Sequence, residues 1–225
     1  MTEAFPFLNP INTLPGIRAS WVGRVPDLTI TGDRDEAMRL LRPGHQAALA
    51  CFAPGSRVWR AEQIHDNKVA VVPAAHETTA PDGLPVIPGA DGLVTNQTGN
   101  TLVIYVADCG PIWLADAATG AIGLLHSGKK GTELDILSRG LDTMARHFGT
   151  RPENVTAVLG PCIRPPDYET DFAAEIARQA DRAGLANFTD CQLNTASDLD
   201  ANYSYRTELG KTGRMMAMIV RDTTP

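Results

Sequence analysis

Apolar positions along this chain follow two rhythms. In the first, short runs of strand length sit between turn residues: Ala47–Phe52, Val58–Ile64, Val69–Val72, Leu102–Val106, Ile112–Ala115, Ile122–Leu125, Val155–Leu159 and Met216–Val220. Runs of this length bounded by turn residues predict β-strands. In the second rhythm, apolar residues recur at steps of three and four. Leu134, Leu137, Leu141, Met144 and Phe148 give one apolar face to a helix over Glu133–Phe148. Phe172, Ile176 and Ala180 do the same over Asp171–Arg182. A shorter helix is predicted over Arg34–Leu41, begun by an Asp33/Glu36 capping box and stopped by Pro43-Gly44.

Strands crowd the middle of the chain in hairpin-like succession, and helices come late and singly. That order predicts an α/β fold with a mixed β-sheet core, largely antiparallel hairpins, flanked by helices, and not a doubly wound sheet. The Pro- and Gly-rich stretch Thr78–Pro88 is short enough to be a long loop. With no internal repeat, residues 1–225 read as a single domain.

The strand pattern also brings chemistry together. Asp116-Ala117-Ala118-Thr119-Gly120 predicts a hairpin turn. If 116 faces 121, then Pro111 faces His126, and Cys109 falls at the same open end. His65 ends another apolar run, just before the turn signal Asp66-Asn67. One thiolate and two imidazoles make a zinc ligand set. Three protein ligands leave a fourth position for water or substrate, which is the catalytic pattern. Copper accepts the same donors.

Other readings of these residues stay open. Cys109 and His126 also suit a nucleophile and its base, and a strand-end histidine is commonly a polar surface residue. Asp108 is placed to orient a histidine ring proton, or simply to form the turn before Gly110-Pro111. Lys130, Arg206, Lys211 and Arg214 could form a phosphate-binding cluster, or be solvated surface charges. Gly128 and Gly131 would let the backbone approach an anion. His45, His76 and His147 read as surface residues, and Cys51 as a small core residue.

Composition narrows the class. The chain is 43% hydrophobic and 20% charged, as ordinary globular proteins are. Its net charge of -6 argues against a nucleic-acid partner, which needs a basic surface, but leaves room for one small basic pocket. No apolar run reaches the roughly 18 residues of a membrane helix. The opening residues show no secretory pattern, so the expected location is cytoplasmic. Four widely spaced cysteines without a C-x-x-C pair predict thiols or ligands, not disulfides.

A set of motifs, in order, carries a resemblance. Gln63-Ile64-His65, Ala90-Asp91-Gly92-Leu93-Val94-Thr95, Ala107-Asp108-Cys109-Gly110-Pro111, His126-Ser127-Gly128, Gly160-Pro161, Ser204-Tyr205-Arg206 and Gly210-Lys211-Thr212-Gly213-Arg214-Met215 resemble the laccase-domain family. Its members are also called multicopper polyphenol oxidases and, more recently, purine nucleoside phosphorylases. The resemblance implies a mixed sheet flanked by helices and a zinc site at His65, Cys109 and His126. It implies phosphorolysis of adenosine, inosine and methylthioadenosine, with some adenosine deamination. The partners would then be a small purine nucleoside and phosphate.

The oxidase label fits poorly, because multicopper oxidation needs many histidines and this chain has five. The base-deaminase signatures H-x-E and P-C-x-x-C are absent. The chain also departs from the family pattern. Lys129-Lys130 stands where the family has Trp-Arg, and Arg164-Pro165-Pro166-Asp167-Tyr168-Glu169 replaces a cysteine-rich stretch. Gly16–Val25, with Arg24, stands in for an N-terminal Thr-Arg-Gly-Gly segment. Two competing readings remain: a metal-independent Cys109–His126 hydrolase of amides or esters, and a non-catalytic metal-binding paralogue.

Overall fold

The apolar runs become strands of two six-stranded mixed sheets. The computed structural model describes residues 5–80 and 83–222; residues 1–4, 81 and 82 of the Pro/Gly loop, and 223–225 lie outside the described residues. In chain order the elements are α1 (Asn9–Asn12), β1 (Ile17–Val22), α2 (Arg34–Phe52), β2 (Arg57–Ala61), β3 (Val69–Val71), β4 (Thr78–Thr79), β5 (Pro85–Ile87), β6 (Gly92–Thr95) and β7 (Asn100–Val106). The chain continues with β8 (Gly110–Asp116), β9 (Ala121–Ser127), α3 (Lys129–Glu133), α4 (Ile136–Phe148), β10 (Val155–Leu159), α5 (Phe172–Arg182), β11 (Asn187–Asp190) and β12 (Met215–Arg221). One sheet is ordered β1-β12-β7-β2-β5-β4 and the other β11-β10-β8-β9-β6-β3.

The sheets lie face to face, with a helix layer outside each. Leu102, Ile104 and Val106 of β7 share one core with Trp113 and Ala115 of β8 and with Ile122 and Leu124 of β9. The alternate residues point the other way, as the two-residue period of a strand requires. Val103 and Tyr105 meet Met38, Leu49 and Phe52 of α2. Ile112 and Leu114 meet Ile136, Leu141 and Met144 of α4 and Ile176 of α5. Strands covered on both faces read as unbroken apolar runs, which is why the central runs carry no polar alternation.

The β8–β9 hairpin has the predicted register, Asp116 opposite Ala121 and Pro111 opposite His126. Four predicted elements differ. The strand predicted over Val58–Ile64 stops at Ala61, because Gln63 is left-handed and the chain turns into a loop. The helix begun at Arg34, with Asp33 accepting from the Glu36 amide at 3.0 Å, runs on through Pro43 to Phe52. The segment Ala47–Phe52 is therefore its last turns, not a strand. Burial of Met38, Leu41, His45, Leu49 and Phe52 along one face outweighs the ~3 kcal/mol that an interior proline costs.

That geometry corrects two further expectations. His45 is buried, with Nε2 3.1 Å from the Arg214 carbonyl, and Cys51 is exposed on the opposite face. The helix predicted over Glu133–Phe148 starts later, at Ile136. Asp135 turns left-handed at φ 55° and caps α4, leaving α3 as a separate short helix. Strands β1, β4, β5, β6 and β11 are additions to the predicted set, β4 and β5 within the stretch expected to be a loop. Among the described residues no helix is long and apolar enough to cross a membrane.

Candidate metal centre

Three loops at one end of the sheets meet. Cys109 precedes β8, His126 closes β9 beside it, and His65 follows β2 in a loop of unusual backbone. In that loop Gln63 and His65 are left-handed, at φ 65° and 64°. Two clamps hold it there. The Gln63 amide group bridges the backbone of Tyr105, donating to its carbonyl at 2.5 Å and accepting from its N–H at 2.9 Å. The Asp91 carboxylate accepts the amides of Ile64, His65 and Asp66 at 3.1, 2.9 and 2.9 Å. Its Oδ1 also lies 2.9 Å from His126 Nδ1.

The result is a compact donor set. One donor atom from each of His65, Cys109 and His126 lies within 4.8 Å of the others. The two imidazoles meet edge to face, with centroids 4.9 Å apart. His126 is buried, Cys109 half-buried and His65 exposed, so the site is anchored on one side and open on the other. Among the described residues it is the one such cluster, and its size and donors fit a single ion rather than several.

Charge is balanced inside the cluster. Burial opposes ionisation of Cys109, but the charge of His126 and hydrogen bonds from both histidines bring the thiol down to about 6. Burial likewise opposes the His126 imidazolium, but the thiolate and Asp91 overcome it and raise that ring to about 9. Burial would push Asp91 up; its bonds to His126 and to the Asp66 and His65 amides hold its carboxyl below the usual range. Cys162 and Cys191 behave oppositely: desolvation raises both thiols, Cys191 to about 11, leaving them inert.

Two sequence assignments change here. Asp108 does not orient a histidine. It accepts from Thr195 Oγ1 at 2.7 Å and from the Arg206 amide at 2.8 Å, and so ties down the loop after Ser204. Asp91 takes the role instead, placed by the β6–β9 pairing that sets Gly92 opposite Leu125. The sequence showed Asp91 only as part of a motif, because that pairing is long-range. Gly128 is required by packing: a Cβ there would lie 2.5 Å from Cys109 Sγ. Gly131 is also close-packed, since a Cβ there would lie 3.3 Å from the His126 carbonyl oxygen. Gly128→Ala should therefore displace the thiol and weaken metal uptake at the triad while the fold survives, read by metal titration beside circular dichroism.

The triad opens into a cavity of about 950 Å³. Its walls carry Arg34, Lys129, Lys130, Arg206 and Arg214 together with Tyr105, Tyr168, Phe172 and Tyr205. Lys211 is not among them; it sits exposed in the turn before Thr212, which corrects its place in the predicted anion cluster. Arg206 is engaged by Glu169 and stacks over Tyr168 at 4.9 Å. Arg214 is different. It is half-buried, donates to the carbonyls of Thr212 and Gly213, lies over the Tyr205 ring at 5.9 Å, and is held below the usual guanidinium range by burial and by the charge of Arg34.

A family profile described as multi-copper polyphenol oxidoreductase laccase matches residues 29–176 and 168–222. The chain belongs to that family. A purine nucleoside phosphorylase of Corynebacterium glutamicum is 28% identical over 97% of this chain and 98% of its own length. One from Deinococcus radiodurans is 34% identical over 57% of this chain and 60% of its own. The match to the Mycobacterium tuberculosis protein of that name, 32% identical, covers 56% of this chain and only 47% of the relative. The chain thus aligns with about half the length of the mycobacterial relative.

Two solved structures share the fold. YlmD from Geobacillus stearothermophilus superposes with a TM-score of 0.76 at 22% identity, covering 96% of this chain and 94% of that one. The Bacillus licheniformis protein YfiH does so at 0.76 and 20%, covering 91% and 92%. Two ion pairs lie close to this cavity, on the segments Lys129-Lys130 and 164–169. Lys129 lies 3.9 Å from Glu169, and Arg164 of the same loop pairs with Asp190 at 2.9 Å.

Proposed function

We propose that this chain is a zinc-dependent purine nucleoside phosphorylase acting on adenosine, inosine or methylthioadenosine. The observation that carries the reading is the convergence of His65, Cys109 and His126 on a cavity with cationic and aromatic walls. The name of the Corynebacterium glutamicum relative, aligned over nearly its whole length, supplies the purine. Zinc suits the donor set, a thiolate and two imidazoles with room for a fourth ligand. When bound, the ion supplies Lewis-acid charge at the open face.

The chain's own residues do the remainder. Arg214 and Lys130 hold the phosphate, Arg214 as a fork and Lys130 as a point charge. Arg206, held by Glu169, closes the substrate side. Tyr168, Phe172 and Tyr205 offer apolar walls to the base. A phosphate oxygen bonds to C1′ as the C1′–N9 bond breaks. The bonding pair leaves with the base, which is then protonated, and the other product is the sugar 1-phosphate: ribose 1-phosphate from adenosine or inosine, 5-methylthioribose 1-phosphate from methylthioadenosine. The same pocket would admit adenosine deamination as a side activity.

The lowered Cys109 thiol supports a second reading, a Cys109 nucleophile with His126 as base that needs no metal. A panel of nucleosides with and without phosphate, read by mass spectrometry, separates the two. The phosphorylase gives free base and the matching sugar 1-phosphate only with phosphate present. Ester or amide cleavage that survives complete metal removal, without any phosphorolysis, would establish the hydrolase.

A further inference from the structure

We propose that Asp91 is the positioning residue of the metal centre: its carboxylate presents Nε2 of His126 as the ligand and holds the His65 loop in its ligating shape before an ion binds. The inference rests on the metal reading of the triad and is independent of the substrate.

Asp91 is fully buried, and four donors converge on its two oxygens. Oδ1 accepts the His65 amide at 2.9 Å and faces His126 Nδ1 at 2.9 Å. Oδ2 accepts the amides of Ile64 at 3.1 Å and Asp66 at 2.9 Å. Three consecutive amides can aim at one carboxylate only because Gln63 and His65 adopt left-handed backbone, φ 65° and 64°. Such conformations are unfavourable for a non-glycine residue and persist where the surroundings hold them. The backbone closes the link again, since the His126 amide donates to the Asp91 carbonyl at 2.8 Å. One side chain therefore sets both the orientation of His126 and the path of the strand-end loop that carries His65.

A carboxylate only accepts, so the ring must offer N–H at Nδ1, and a neutral ring then has its lone pair on Nε2. An amide of the same shape cannot serve all four donors. In Asp91→Asn, an NH₂ facing the Ile64 and Asp66 amides sets donor against donor. Turned the other way, it faces His126 and forces Nδ1 to accept, which puts the ring proton on Nε2 where the ion should bind. Either arrangement impairs one of the three ligands.

The test compares wild type with Asp91→Asn in three ways. Zinc affinity is taken from competition with a chelator, the cobalt(II)-loaded protein gives an electronic spectrum at saturation, and hydrogen exchange is followed at the amides of 64–66 in zinc-free protein. We expect zinc affinity to fall about 10–100-fold, the loss typical of an outer hydrogen-bonding partner. The cobalt bands should shift at full loading, which a loss of general stability would not cause. The three amides should be protected in zinc-free wild type and exchange faster in the variant. If the variant does not fold, the wild type decides alone: protection of 64–66 without zinc supports the proposal, and free exchange until zinc is added overturns it. A folded variant with unchanged affinity and an unchanged cobalt spectrum also overturns it. A wild type that takes up no zinc defeats the metal reading itself, a different failure from a zinc-binding wild type with an indifferent variant.

Discussion

Cys109→Ser should lose most of its zinc and nearly all base release while keeping its fold. The thiol is one of three donors within 4.8 Å of each other, and no other cluster of this kind exists among the described residues to replace it. A serine hydroxyl is a poor soft-metal ligand and stays protonated where the thiol, brought down to about 6, does not. The loss should therefore exceed the roughly 10–100-fold that removal of an outer hydrogen-bonding partner costs. Metal analysis and phosphate-dependent turnover on one preparation check it; full metal retention would remove Cys109 from the site. Zinc must also displace the Nε2 proton of the His126 imidazolium, a charge that the thiolate and Asp91 favour up to about pH 9. Affinity should accordingly rise with pH, since protons and metal compete for the same nitrogen.

The second large effect belongs to Arg214→Ala. Among the described residues this guanidinium has no carboxylate hydrogen-bond partner; it is half-buried and lies on the cavity wall near the like charge of Arg34. A half-buried cation on a cavity wall is a ready partner for a small anion. A charged hydrogen bond is worth about 1.5–3 kcal/mol, so KM for phosphate should rise on the order of ten- to a hundredfold, with KM for the nucleoside little changed. Phosphate should also raise the melting temperature of wild type and not of the variant. Lys130→Ala, which removes an exposed point charge, should have the smaller effect. The reverse ranking would move the phosphate to the lysine loop.

How far the sequence revealed this arrangement depended on the range of each contact. The β8–β9 hairpin was legible because its turn and both strands are contiguous, and its register alone brought Cys109 to His126. Asp91 was not, because it reaches His126 through a strand pairing between segments some thirty residues apart. His45 was misread because Pro43-Gly44 looked like a stop, although the apolar spacing from Met38 to Phe52 runs straight through it. Lys211 and Arg214 are close in sequence, yet only Arg214 leads into β12 and faces the cavity. Charge alone could not tell them apart. The apolar runs marked the doubly covered strands β7, β8 and β9 but could not say that they belong to two sheets.

The most direct test titrates metal-stripped protein with zinc while base release from adenosine, inosine and methylthioadenosine is followed under saturating phosphate. The account predicts activity that rises linearly to one equivalent of zinc, stops there, and vanishes when phosphate is omitted. A protein that fills its site at one equivalent yet releases no base from any of the three would contradict it.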